Sequence, residues 1–328
     1  MDTRHPFETL GPDTVLDAVE AVGGVRSDGR LLALNSYENR VYMVGVEDGP
    51  AVVAKFYRPG RWDDAQILEE HAFSEELVAA EVPVVAPMRC GASTLAHSHG
   101  FRIALYPMRG GRMLEVDNRD VLRRLGAYLG RIHVVGGGGA FTHRPALDPG
   151  DHGRRVRDRL LAGNWLPPHL EEAYATLTED LLEAVSACWE RAGAVRPIRV
   201  HGDFHPGNVL QTEAGFHLVD LDDTCTGPAV QDLWMLLPGE RAEQESFLEA
   251  VLEGYRTFCE LDPRELHLIE PLRTLRLMRH AAWLAERWED PAFPQAFPWF
   301  AEPRYWEEHM LALREQLAAL AEPPLSVR

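Results

Sequence analysis

The stretch HGDFHPGNVLQTEAGFHLVDLDD at 201–223 carries residue types whose spacing suits one reaction. Asp203 is followed five residues later by Asn208, and an apolar run then ends in Asp220. A carboxylate at Asp203 can accept the proton of a hydroxyl, while the amide of Asn208 and the carboxylate of Asp220 can hold Mg²⁺ against the phosphates of ATP, so the pattern implies phosphoryl transfer. A further candidate is Lys55, the only lysine in a chain whose other basic residues are all arginine. It closes the β-branched run in PAVVAKFYRP. A phosphoryl-transfer site of this kind needs one ammonium there to pin the α- and β-phosphates, paired with a carboxylate on a helix. In a chain that otherwise uses arginine throughout, a lone lysine at that place suggests that a compact, pairable charge is required. One lysine must fall somewhere by chance, so Lys55 draws its meaning from the 201–223 segment.

These groups need strands, turns and one helix to position them. The apolar segments IRV before the motif and FHLV inside it predict short strands, which sets the three polar groups on turns between strands. Upstream, a helix-start signal opens PDTVLDAVE at 12–20. The β-rich runs LLALNSYENRVYMVGVED and AVVAKFY predict strands joined by a hairpin. WDDAQILEEHAFSEELVAAE follows with helical spacing and an Asp63–Asp64 pair suited to a helix N-terminus. EVPVVAPM and GFRIALYPM predict two more strands, so residues 30–108 should form a small sheet carrying one helix. RGG at 109–111 marks a linker, and beyond it the chain turns helical through DVLRRLGAYLGRIHVV, EEAYATLTEDLLEAVSACWERAG, ESFLEAVLEGYRTFCEL, RTLRLMRHAAWLAERW and RYWEEHMLALREQLAAL. GGGG at 136–139 is expected to be a flexible spacer. The domains are therefore expected at 1–108, a nucleotide-binding lobe, and 109–328, a mostly helical lobe that binds the acceptor.

Composition bounds the partners. A chain of 328 residues suits two lobes, and 45% hydrophobic with 26% charged residues describes a globular protein. A net charge of −18 argues against a nucleic-acid backbone as partner. It fits a cationic acceptor such as a basic peptide, an aminoglycoside or choline, although most of the acidic excess is read as surface solubility. There is no apolar run of spanning length and no signal-like segment in MDTRHPFETLGPD. The scattered Cys90, Cys188, Cys225 and Cys259 form no CxxC pair and are read as reduced thiols. The expectation is a cytoplasmic protein, monomeric by default, with no membrane partner.

The order of a lysine strand, a helix glutamate, a linker, HGDxHxxN and a late Asp resembles the aminoglycoside phosphotransferase and choline kinase group, which shares the protein-kinase fold. LNSYENRVY, VVAKFYRPGRW, QILEEHAF, EVPVVAP, HGDFHPGNVL, VDLDDTCTGPAVQDLWMLL and DPAFPQAFPWF together resemble the bacterial stress response kinase A family. These blocks run from residue 34 to 300. HGDxHxxN identifies only the broad group, whereas GPAVQDLWMLL and the late PAFPxxFPW are specific to the narrow one. The resemblance implies an α+β, bilobal protein-kinase-like fold. It further implies an ATP- and Mg²⁺-dependent serine/threonine protein kinase of the stress-response type, a small-molecule hydroxyl kinase being the alternative.

The resemblance also implies roles. Asp203 would be the catalytic base, with Asn208 and Asp220 the Mg²⁺ ligands, and hard oxygen ligands suit that ion. His201 would brace the loop, and His205 would hydrogen-bond or face the acceptor. Asp232 would cap or anchor a helix. Asp222 and Asp223 are rivals to Asp220, which is preferred because it directly ends the FHLV strand. Glu70 is the chosen partner of Lys55, with Glu69 as its rival. No GxGxxG lies between the first two strands; NSYENR at 35–40 stands there, and its backbone amides with the Ser36 hydroxyl can contact ATP phosphates. Gly202 stands where protein kinases have the Arg of H-R-D, and few residues separate Asp220 from GPAVQD. Both departures imply an enzyme not switched on by loop phosphorylation.

Overall fold

The computed structural model describes residues 5–116, 118–213 and 215–327, with only the backbone of 149–152. Residues 1–4 of the N-terminal stretch considered above lie outside that range. The chain divides into two compact units. The first comprises the chain up to Glu115 together with Phe141–Arg144 and His205–Thr224; the second comprises Val116–Ala140, Pro145–Phe204 and the chain from Cys225 onward. The boundary expected at 108/109 thus falls inside the first unit. The first unit also takes in Asn208 and Asp220, while Asp203 belongs to the second.

The first unit opens with helix α1 (Pro12–Gly23) and strands β1 (Ser27–Ala33), β2 (Arg40–Val46) and β3 (Gly49–Phe56). Helix α2 (Asp64–Ala79) and strands β4 (Ala96–Ser98) and β5 (Phe101–Pro107) follow. They form a five-stranded sheet in the order β1-β2-β3-β5-β4, with Lys55 on the central β3 opposite Val41 and Ala104. Side chains alternate across a sheet, and here the alternation separates two environments. Val52, Ala54 and Phe56 on β3 pack with Phe101, Ile103 and Leu105 of β5 against Val15 and Val19 of α1. The opposite face packs Tyr57, Ala104 and Tyr106 with Ile67 of α2. Lys55 shares the parity of Tyr57, so its side chain emerges toward α2. The start of α2 is fixed by a reciprocal capping box: Asp63 Oδ1 accepts from Gln66 N at 2.8 Å and Gln66 Oε1 accepts from Asp63 N at 3.0 Å.

EVPVVAPM does not form the expected strand. Only a parallel bridge between Val84 and Leu218 appears there, because Pro83 and Pro87 withhold the amide donors a ladder needs. The segment instead docks a second, three-stranded sheet of β6 (Arg112–Met113), β8 (Val209–Gln211) and β9 (Phe216–Leu218), in the order β6-β8-β9. Leu218 N donates to Pro83 O at 2.9 Å and Val85 N to Leu218 O at 2.8 Å. RGG at 109–111 leads directly into β6.

The second unit contains helices α3 (Arg119–Gly137), α4 (Pro149–Ala162), α5 (Pro168–Ala192), α6 (Arg241–Tyr255), α7 (Ile269–Arg287), α8 (Ala292–Ala296) and α9 (Pro303–Leu320). Its strands β7 (Ile198–Val200) and β10 (Cys225–Gly227) pair antiparallel. Apolar faces of α4, α5, α7 and α9 meet in a core around Leu160, Leu181, Met278, Trp306 and Leu313, closed by Phe293 and Phe300 of the PAFPQAFPWF block. Helix α4 was not anticipated. GGGG is not a flexible spacer: Gly136 and Gly137 finish α3, and a Cβ on Gly136 would overlap the carbonyl oxygen of Arg199. The absence of a side chain there lets α3 press onto β7. Among the described residues no helix is long and apolar enough to cross a membrane.

Candidate active site

In the first unit, strand pairing brings Asn208 beside Asp220. Asn208 ends a short 3₁₀ turn, Pro206–Asn208, capped by His205, whose Nδ1 accepts from Gly207 N at 3.0 Å. The chain then runs into β8 and returns as β9, with Val209 opposite Leu218. The ladder continues one step further, Val219 N donating to Asn208 O at 3.0 Å. Asn208 and Asp220 therefore sit at the same open end of the ribbon. Asp220 adopts φ 61°, a left-handed conformation uncommon outside glycine, and its side chain is about half exposed at 51%. Such a turn aims the carboxylate away from its strand.

Lys55 reaches this end of the ribbon. Its Nζ lies 3.2 Å from Asp220 Oδ1 and 3.0 Å from Asp222 Oδ1. Burial opposes a charge on Lys55, but the carboxylates of Asp222 and Asp220 outweigh it and hold the proton more tightly than usual. Glu70 is buried on α2, yet no ion pair to Lys55 forms among the described residues; its carboxylate is 3.6 Å from His71 Nε2 and accepts from Ser74 Oγ at 3.4 Å. Burial pushes the Glu70 carboxyl up to about 7, with the Lys55 charge opposing. His71 is pushed down to about 3 by burial and then by Lys55, so it is neutral; its ring joins Tyr57 Oη and Thr94 Oγ1, each at 2.8 Å. Glu69 has a different occupation. It accepts from the amides of Thr142, His143 and Arg144 at 2.5, 2.8 and 2.7 Å, tying 141–144 to α2.

Asp222, the rival metal carboxylate, is committed elsewhere. It is buried, pairs with Lys55 and Arg61, and accepts from Asn39 Nδ2 at 3.1 Å. Burial alone would raise its pKa; the Arg61 and Lys55 charges reverse that and hold it well below the carboxylate range. Asp223 takes the second arm of Arg61 at 2.8 Å. Asn39 belongs to the 35–40 loop that stands in place of a glycine-rich turn. Its Oδ1 accepts from Arg58 N at 3.0 Å, while Arg58 Nε donates to Glu38 O at 2.8 Å and Arg58 Nη2 to Tyr37 O at 3.0 Å. Two arginines and an asparagine thus shape a loop that glycines shape elsewhere. Ser36 lies half-buried in it. Asn39 lies in NSYENR, and Arg58 and Arg61 lie in RPGRW, segments singled out from the sequence without a role for any of the three.

The second unit holds Asp203. Strand β7 delivers the chain to His201, which is buried, and to Gly202 at φ 86°. Asp232, fully buried, accepts from His201 N at 2.7 Å and Gly202 N at 2.8 Å and lies 3.1 Å from His133 Nε2. It therefore anchors the 201–202 loop and, through His133, ties that loop to helix α3. Asp203 N donates to His201 Nδ1 at 3.4 Å, and the Asp203 carboxylate meets the Arg276 guanidinium of α7. Arg276 was not singled out from the sequence. After Asp220 the chain needs only Leu221–Thr224 to reach β10, so no long activation loop intervenes.

The arrangement offers an ammonium, an amide and a partly exposed carboxylate at one end of a ribbon, and a separate carboxylate on a braced turn. Among the described residues no group of three or more His, Cys, Asp or Glu side chains is placed to hold a metal ion by itself. The Asn208–Asp220 donor set fits a hard cation that completes its shell with phosphate oxygens and water, as Mg²⁺ does.

Comparison with known proteins agrees with this chemistry. The phosphotransferase enzyme family matches residues 30–269. Stress response kinase A of Escherichia coli (strain K12) is 46% identical over 326 residues, covering 99% of this chain and 98% of that relative. A Salmonella typhimurium relative named serine/threonine protein kinase RdoA is 44% identical over 326 residues, with the same coverage of 99% and 98%. Among solved structures, amicoumacin kinase hAmiN in complex with AMP-PNP, Ca²⁺ and Ami aligns with TM-score 0.70 at 18% identity, covering 94% of this chain and 96% of that one. Spectinomycin phosphotransferase, in complex with ADP and spectinomycin, aligns with TM-score 0.67 at 14% identity, covering 93% and 98%. These structures establish an α+β, kinase-like fold. The chain is an ATP-dependent kinase of the phosphotransferase enzyme family and belongs, within it, with the stress response kinase A proteins.

Proposed function

We propose that this protein is an ATP- and Mg²⁺-dependent serine/threonine protein kinase that transfers the γ-phosphoryl group to a side-chain hydroxyl. The observation that carries the reading is the meeting of Lys55 with Asp220 at 3.2 Å, beside Asn208 on the same ribbon end. Lys55 would hold the α- and β-phosphates, with Ser36 and the amides of its loop as further contacts. Glu70 would be the helix carboxylate that Lys55 turns to. Asn208 and Asp220 would hold Mg²⁺, whose chemistry is to neutralise charge on the phosphate oxygens. Asp203 would orient the acceptor hydroxyl and take its proton late in a loose transition state. His201, Gly202 and Asp232 keep that turn in shape. The word "protein" is supported by the Salmonella relative, a serine/threonine protein kinase by name; the kinases of small molecules share the fold at 14–18% identity, which supports the fold alone.

The test uses γ-labelled ATP with Mg²⁺ and the purified chain. It is run with no acceptor, with an acidic and a basic generic protein, and with an amino-alcohol and aminoglycoside panel. Label on protein serine or threonine that disappears in Asp203→Ala is the expected result. Label confined to the small molecules would replace the reading with a small-molecule hydroxyl kinase.

A further inference from the structure

The guanidinium of Arg276 rests on the carboxylate proposed to receive the acceptor hydroxyl. The contact is reachable from solvent: the Arg276 side chain is 46% exposed and that of Asp203 22%. Its surroundings on α7 are basic. Arg273 lies one turn earlier, its guanidinium over the Trp234 ring at 5.8 Å and near Glu270 at 3.7 Å. Arg279 and His280 lie one turn later, His280 against the Trp283 ring at 5.8 Å. No acidic residue occurs on α7 between Glu270 and Glu286, in a chain of net charge −18. This stretch of α7 therefore carries the sign opposite to that of the whole protein.

We propose that Arg276 is the acceptor-recognition residue of this kinase, and that it selects a serine or threonine flanked by a carboxylate or phosphate in an acidic protein segment. The proposal rests on the protein-kinase reading above. When Asp203 turns to an incoming hydroxyl, Arg276 loses part of its partner, and a planar guanidinium left facing an acceptor is best satisfied by a carboxylate or phosphate, which it can bind through two parallel hydrogen bonds. An anionic acceptor supplies that replacement. A cationic one meets Arg276, Arg273 and Arg279 as like charges, and juxtaposed like charges suppress wrong partners. The cationic acceptors suggested by net charge alone are thus disfavoured at the one place where acceptor identity matters.

The experiment compares three serine peptides that differ only in whether Asp, Ala or Lys flanks the serine. Small acceptors are included: an amino alcohol, an aminoglycoside and a hydroxy acid. The wild type, Arg276→Lys, Arg276→Gln and Arg276→Glu enzymes are assayed, with thermal melting as a check on folding. The wild type should prefer the Asp-flanked over the Lys-flanked peptide by about tenfold or more in kcat/KM, the worth of a charged hydrogen bond. The preference should sit mainly in KM, shrink in Arg276→Gln, return in part in Arg276→Lys and reverse in Arg276→Glu. Equal use of the peptides by the wild type, or an order that survives Arg276→Glu, overturns the role of Arg276 and leaves the kinase reading standing. Activity confined to amino alcohols or aminoglycosides overturns both. Activity confined to the hydroxy acid, with the same dependence on Arg276, overturns the protein acceptor and upholds the anion-reading role.

Discussion

Asp220 and Asp222 carry the same group two residues apart, and their surroundings assign them opposite duties. Asp222→Asn keeps the shape and removes one charge. In the native chain that carboxylate is buried 3.0 Å from Lys55 Nζ, touches the Arg61 guanidinium and accepts from Asn39 at 3.1 Å. Removing one partner of a buried ion pair costs about 3–5 kcal/mol. Lys55 keeps Asp220, and Arg61 keeps Asp223 and Glu38, so the lower end, about 3 kcal/mol, applies. At about 2 °C per kcal/mol for a large chain, the melting temperature should fall by about 6 °C. Asp220→Asn breaks a pair whose carboxylate is 51% exposed, and such pairs contribute about 1 kcal/mol or less. Its melting should stay within about 2 °C of wild type. Turnover, in contrast, should fall at least about a hundredfold, as losing a group that stabilises transition-state charge does, with a raised Mg²⁺ requirement. The assay is thermal melting beside initial rates across a Mg²⁺ titration. Wild-type turnover in Asp220→Asn, together with an unchanged melting point and a raised Mg²⁺ requirement in Asp222→Asn, would refute the reasoning and make Asp222 the metal ligand.

Glu70, raised from 4.5 to about 7, binds its proton more tightly folded than unfolded. Its contribution is favourable below pH 4.5 and lost as pH rises through about 7, so Glu70→Gln should flatten that fall, by on the order of 3 kcal/mol at most, in urea titrations at pH 5 and pH 8. Gly136→Ala places a methyl on the Arg199 carbonyl and should cost about 1–3 kcal/mol as α3 is forced off β7, read by denaturant titration. Asp232→Asn takes an anion from the His201 and Gly202 amides; faster hydrogen exchange at those amides, with a loss of about 3 kcal/mol, is expected.

Local spacing made part of this molecule readable. Helix α1 follows from its start signal, α2 from its helical spacing, α3, α5, α6, α7 and α9 from the helical segments beyond the linker, and the β7 and β9 strands from short apolar runs between turns. The approach of Lys55 to Asp220, 165 residues away, was legible only because each sits in a recognisable local pattern. Where the pattern was ambiguous, tertiary structure decided. Glu69 and Glu70 differ by about 100° around α2, and nothing in the sequence says which side meets the 142–144 amides. VDLDD offers three carboxylates, and only burial together with Lys55, Arg61 and Asn39 sets Asp222 apart. The prolines of EVPVVAPM were a readable warning against a strand, outweighed by the apolar run. Helix α4 hid behind glycines and charges, and Arg276 meets Asp203 from 73 residues away with no motif of its own.

Exposure, more than residue type, sorts the candidate carboxylates within each of the two units. Asp232 and Asp222 have side chains 0% and 4% exposed, and every contact described for them serves the chain itself: loop amides and a histidine in one case, two cations and an amide in the other. Asp203 and Asp220, at 22% and 51%, are more exposed, and each forms an ion pair, with Arg276 and Lys55 respectively, that an incoming charged group can compete for. The kind of cation differs in a way that suits the competitor. Lys55 is a point charge that can pass from Asp220 to phosphate oxygens without a demand on angle, whereas Arg276 presents a planar fork. The first suits a nucleotide held through several oxygens, the second a carboxylate or phosphate that must arrive in one orientation. On the proposed function, the buried lysine at Asp220 and the exposed arginine at Asp203 would each neutralise a carboxylate until a ligand of matching charge takes its place.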